Sequence, residues 1–130
     1  MLTVVAHVCV LVQASEALIR PAPNAKRKPN LPRSVVVLAL AALGSATLHG
    51  LEAAVWAILY HGIGALTTVQ SAILYSLGAI TSYDHPEIFL EDRWKLLGGI
   101  EAVNGLILFG LTTPFMFTVI QDVRSHNLPY

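Results

Sequence analysis

Ser71-Ala-Ile-Leu-Tyr-Ser-Leu-Gly-Ala-Ile-Thr-Ser-Tyr-Asp-His85 reads as a short apolar helix running into a polar loop. An apolar run flanks it on each side, 34–60 before and 94–121 after. At 1.5 Å rise per residue the first run reaches roughly 40 Å, more than the roughly 30 Å hydrocarbon core of a bilayer. The helix between them, over 68–80, is too short to span. Its far end carries Asp84 and Pro86, which cannot rest in lipid. Irregular backbone at membrane depth survives only where protein buries it or a water-filled cavity receives it. One small chain cannot enclose such a loop, so several copies must.

Composition agrees. Hydrophobic residues make up 55% of the 130 and charged ones 12%, about half the charge of an ordinary soluble domain. Mean hydropathy is +0.63. The formal net charge of zero hides an asymmetry. Arg20, Lys26, Arg27, Lys28 and Arg33 precede the first long run, and Arg124 follows the second. Asp84, Glu87, Glu91 and Asp92 lie between them with Arg93 and Lys95. Basic flanks place both termini in the cytoplasm and the middle loop outside. The basic cluster abuts a hydrophobic span, which argues against a nucleic-acid partner.

The chain divides into an apolar N-terminal segment with a basic, Pro-rich linker (1–33), a core of 34–121, and a tail of 122–130. The first apolar stretch has no basic n-region, and Val12-Gln13-Ala14 matches a cleavage site only loosely, so it reads as an interfacial or buried helix, or as residues without a structural role, rather than as a signal peptide. The linker is solvated and suited to anionic headgroups. Within the core, 34–60 is the outer helix, 68–80 the short helix, 81–93 a loop and 94–121 the inner helix. Thr67 or Thr68 caps the short helix. Trp56 and Tyr60 fall where interfacial aromatics are expected, and Phe89 and Trp94 anchor the loop. Cys9 has no partner for an intrachain disulfide and fills apolar space.

The run Trp94-Lys-Leu-Leu-Gly-Gly-Ile-Glu-Ala-Val-Asn-Gly-Leu-Ile-Leu-Phe-Gly-Leu-Thr-Thr113 resembles the inner helix of the two-transmembrane potassium-channel pore family. Within it, the chain is most similar to small bacterial ion-channel-like proteins. Leu48-His-Gly-Leu-Glu-Ala-Ala-Val-Trp-Ala-Ile-Leu-Tyr60 resembles their outer helix. The resemblance implies an all-α membrane protein with two transmembrane helices, a re-entrant pore helix and a filter-like loop. It also implies a homotetramer in the bacterial inner membrane that conducts a monovalent cation such as potassium, alone or within a larger membrane complex. It implies no catalysis and no cofactor. Aligning Thr81 with the last threonine of the family's T-V-G-Y-G filter puts Gly105 on the inner-helix hinge.

The filter is the departure. Family carbonyls line up because glycine tolerates φ > 0. Here the register reads Thr81-Ser82-Tyr83-Asp84-His85, with no glycine. Bulky residues at positive φ cost on the order of 1–3 kcal/mol each, so carbonyl-cage potassium selectivity is not supported. Asp84 could instead supply a ring of carboxylates that attracts cations, and His85 sensitivity to pH. The plainer reading has both capping the helix or facing solvent.

Glu52 and Glu101 are the acids inside the spans, and such groups face a partner by default. His49 and Glu52 share a helical face, as do Glu101 and Asn104. The expected arrangement is a polar clamp between the two helices; a proton or ion relay is the alternative. Gly105, Gly110 and Pro114 suit either a gating bend in the inner helix or close packing with a fixed kink. Two other functions compete with conduction. One is a non-conducting accessory subunit of the same fold. The other is a metal-dependent membrane enzyme, for which His49-x-x-Glu52 with Glu101 is a thin ligand set, reversed from the usual Glu-x-x-His order.

Overall fold

A computed structural model describes residues 2–19, 31–83 and 87–127. Among them the chain is helical, with no strand. The helices are α1 (Leu2–Ile19), α2 (Leu31–Gly62), α3 (Val69–Thr81) and α4 (Lys95–Asn127), with a 3-10 turn, Asp92–Trp94, leading into α4. Helices therefore stand where the sequence places the outer, short and inner ones: the outer is longer at both ends, the short one is shifted by one residue, and the inner one begins one residue later and runs on to Asn127.

Segments Pro32–Gly62 and Asp92–Ser125 are long and apolar enough to cross a membrane. Their apolar windows are only 17% and 33% buried within the chain, which sets them apart from the covered core helix of a soluble protein. Leu43, Leu51 and Ile58 on α2, and Leu96, Val103 and Leu106 on α4, all lie exposed. Hydroxyls on these helices are satisfied within their own helix: Ser45 donates to the Ala41 carbonyl and Thr47 to that of Leu43. An apolar surround demands that economy.

A break at 63–68 separates α2 from α3. Gly64 takes φ 72°, a conformation open to glycine without steric cost. The N–H groups of Ala65 and Leu66 both donate to the Tyr60 carbonyl. Thr68 then caps α3, its hydroxyl accepting from the Ser71 N–H at 3.0 Å. At the far end Ser82 adopts φ 57°, with its N–H donating to Ala79 and that of Tyr83 to Gly78. This is a left-handed C-cap filled by serine where glycine is usual.

Helix α3 packs on both α2 and α4. Between them lies a core that includes Trp56, Tyr60, Leu66, Ala72, Ile80 and Leu90. Trp56 and Tyr60 are thus inside the fold rather than at a lipid interface; the rotational setting of α2 turns them toward α3. Phe89 is exposed, and Trp94 is partly buried beneath the Arg93 guanidinium. A second cluster joins Leu11 of α1 to Ala41 of α2 and to Phe115 and Val119 of α4. α1 runs parallel to α4: Thr3 meets Asn104, His7 meets Thr112, and Leu11 meets Phe115. The N-terminal helix is therefore a packed part of the fold.

Candidate functional site

Two buried polar clusters occupy the seams between the helices. In the first, Ser76 of α3 donates to the Ala53 carbonyl of α2 at 2.8 Å and also bonds Glu101 Oε1 of α4. One hydroxyl thus ties three helices together. Glu101 and Ser76 are fully buried, and Tyr60 adjoins the same carboxyl group. Gly105 lies one turn along α4, directly against the Ile80 backbone. Gly98 similarly admits Tyr75 and Leu90.

The second cluster lies where α1, α2 and α4 meet. His7 Nδ1 is 2.8 Å from Glu52 Oε1, and His49 Nδ1 is 3.3 Å from Glu52 Oε2. On their far sides, His7 Nε2 and His49 Nε2 reach Thr112 Oγ1 at 2.9 and 3.2 Å. Thr112 in turn donates to the Leu108 carbonyl at 3.0 Å. The Phe109 ring stacks on His49 with centroids 4.2 Å apart and closes one side. His7, His49, Glu52 and Thr112 are all buried.

The expected clamp takes a different form. Glu52 and His49 do not meet Glu101 or Asn104. Glu52 bonds to α1 through His7, while Glu101 bonds to α3 through Ser76. Asn104 also turns to α1, exchanging hydrogen bonds with Thr3 at 3.1 and 3.2 Å. Neighbouring residues on a helix point about 100° apart, so Glu52 and Ala53 serve different partner helices. His7, Thr112 and Ser76, which the expected clamp leaves out, complete the two clusters, together with Tyr60, which the sequence places at the interface. His7 carried a usable signal, being an imidazole within an apolar helix. Thr112 and Ser76 carry none, because such hydroxyls are common in apolar helices and can bond their own backbone.

Of the loop residues, Thr81, Ser82 and Tyr83 are exposed. The Thr81 hydroxyl donates back to the Leu77 carbonyl at 2.6 Å. Asp84 and His85 lie outside the described residues. An open cleft of about 340 Å³ between α3 and α4 is lined by Tyr75, Gly78, Ser82, Tyr83, Gly98 and Gly99, among others. α4 is a continuous helix through Gly105, Gly110 and Pro114. Pro114 offers no N–H to the Gly110 carbonyl, and a β-carbon on Gly110 would meet nothing within 4 Å.

Compared with family models, curated proteins and solved structures, the chain matches none.

Proposed function

We propose that this chain is the pore-type subunit of an oligomeric membrane channel for monovalent cations. The observation that carries the proposal is α3: a capped helix of 13 residues, held between two long apolar helices and ending in an exposed polar turn. In this reading α2 and α4 cross the bilayer and α3 enters it part-way as a re-entrant helix. Four copies supply the enclosure that the turn at Thr81, Ser82 and Tyr83 needs. The exposed apolar faces of α2 and α4 meet lipid and neighbouring copies, and the cleft between α3 and α4 has room for a neighbour's side chains. The basic linker and the C-terminal end of α4 face the cytoplasm, while α1 begins at the depth of Asn104.

The filter position favours weak selectivity. Ser82 holds a left-handed conformation as a helix cap, and the Thr81 hydroxyl is engaged within α3. Neither is the continuous glycine-based carbonyl ladder that replaces potassium hydration. The same two observations favour a second reading, a non-conducting accessory subunit. Purified full-length protein in liposomes, with the tetramer verified beforehand, separates the two. Potassium and sodium flux with little discrimination is expected. A verified tetramer that passes neither cation nor protons above empty vesicles assigns the accessory role, and a stable monomer in mild detergent overturns the pore reading.

A further inference from the structure

We propose that His7, His49 and Glu52 form a buried site for one divalent transition-metal ion of the zinc class, joining α1 to α2 beside α4. The hydrogen-bond pattern around Thr112 carries the argument. Thr112 Oγ1 lies 2.9 and 3.2 Å from the Nε2 atoms of His7 and His49 and 3.0 Å from the Leu108 carbonyl oxygen, so it can donate to that carbonyl while accepting from both imidazoles. With the protons on Nε2, both rings turn an Nδ1 lone pair toward Glu52. The two Nδ1 atoms face the two oxygens of one carboxylate, at 2.8 and 3.3 Å. In that tautomer two imidazole nitrogens and one carboxylate converge on a single space, a set suited to a cation.

A proton fills that space incompletely. One proton on His7 Nδ1 closes the shorter gap and leaves the other as a lone pair against a carboxylate oxygen. His49 Nδ1 and Glu52 Oε2 are indeed buried with no hydrogen-bond partner, in residues 9% and 4% exposed. Orphaned buried polar atoms are rare in folded proteins and call for an explanation. A metal ion bonds both nitrogens and either or both carboxylate oxygens at once.

Dimensions and chemistry fit. One ligand atom from each residue lies within 4.8 Å of the others. Zinc–nitrogen and zinc–oxygen bonds of about 2.0–2.2 Å need only a modest adjustment of such a set. Imidazole and carboxylate select zinc, iron or copper over magnesium or calcium. Thr112 is the outer partner such a site requires, accepting the distal N–H of both ligating rings and so holding tautomer and orientation together. Two ligands come from one turn of α2 and the third from α1, 42 positions before His49 in sequence. The ion would therefore fix the N-terminal helix to the proposed pore pair.

The test uses full-length protein in mild detergent, purified without a polyhistidine tag and stripped with chelator. Zinc titrated against a chromophoric competitor, with metal content by mass spectrometry, is expected to give one ion per chain and a raised melting temperature. Cobalt in its place is expected to give the visible bands of a low-coordinate nitrogen and oxygen site. His7→Gln, His49→Gln and Glu52→Gln should each abolish binding, and Thr112→Val should weaken it about 10- to 100-fold. His61→Gln, at an exposed histidine, should bind as the unaltered chain does. The proposal is overturned if the unaltered chain takes up no zinc beyond a detergent blank, or if His7→Gln binds as tightly as the unaltered chain while keeping its helix content. Should His7→Gln fail to fold, the cobalt spectrum of the unaltered chain decides, a hexaaquo-like spectrum refuting the site. None of these readouts depends on ion flux, so the outcome is independent of the channel proposal.

Discussion

Gly105 of α4 and Ile80 of α3 cross with no room for a side chain between them: a β-carbon on Gly105 would lie 2.8 Å from Ile80 Cα. The obstacle is backbone, which cannot rotate away. Gly105→Ala should therefore part α3 from α4 and destabilise the fold by about 1–3 kcal/mol, the usual range for overpacking. Gly110→Ala on the same helix meets open space and should be neutral or gain up to about 1 kcal/mol in helix propensity. Equilibrium unfolding in mixed detergent micelles compares the two. Equal effects would show that the crossing is looser than described and would return Gly105 to a purely flexural role.

Ser76 and Glu101 should be energetically coupled. Removing the hydroxyl in Ser76→Ala leaves a buried carboxyl oxygen without its partner, at a cost of about 1–3 kcal/mol. Glu101→Ala leaves Ser76 its bond to the Ala53 carbonyl but opens a cavity beside Tyr60. The double variant should lose less than the sum, with a coupling of about 0.5–3 kcal/mol. A thermodynamic cycle over the four proteins measures it, and strict additivity would mean that the two side chains do not interact.

Helix positions were legible in the sequence and helix rotations were not. Run length marks out the two long helices, and a cap at Thr67 or Thr68 locates α3, whose observed cap is Thr68. Rotation is usually read from an apolar stripe against a polar one. α2 and α4 are apolar on nearly every side, so no stripe says which face looks inward. Sequence alone therefore points Trp56 and Tyr60 to the lipid interface and Glu52 toward α4, whereas the structure turns the aromatics to α3 and Glu52 to α1. His7 is a readable residue: an imidazole in an apolar helix calls for a partner as much as Glu52 and Glu101 do. Its target could not have been guessed, since α1 docks through a linker of 11 residues, 20–30, whose course the sequence does not specify.

Ser82 holds a left-handed conformation that costs a residue with a β-carbon about 1–2 kcal/mol. Ser82→Gly should recover about 1 kcal/mol and raise the melting temperature. Ser82→Val should lower it, because a β-branched residue is poorly suited to positive φ. The pair also probes the loop reading. If the turn were only a helix cap, Ser82→Gly would leave flux through reconstituted vesicles unchanged; a change in cation preference would place Ser82 on the permeation path.

Thr112 and Thr113 are adjacent, yet substituting them should have opposite consequences. Thr113 is exposed, and its hydroxyl bonds only the Phe109 carbonyl of its own helix at 2.9 Å. Thr113→Val should be nearly silent, since the carbonyl keeps its helical partner and the side chain keeps its shape. Thr112 Oγ1 is within hydrogen-bond distance of two buried imidazoles. In Thr112→Val both Nε2 atoms lose their hydrogen-bond partner, at about 1–3 kcal/mol for each buried polar atom left unpaired, so a loss well above that of Thr113→Val is expected. The loss should also be concentrated at α1. Thr112 and Glu52 hold the His7 and His49 rings from opposite sides, so hydrogen exchange in Leu2–Ile19 should accelerate in Thr112→Val while exchange in Val69–Thr81 stays as it was. Uniform acceleration across the four helices would instead assign Thr112 to general core stability and detach it from the docking of the N-terminal helix.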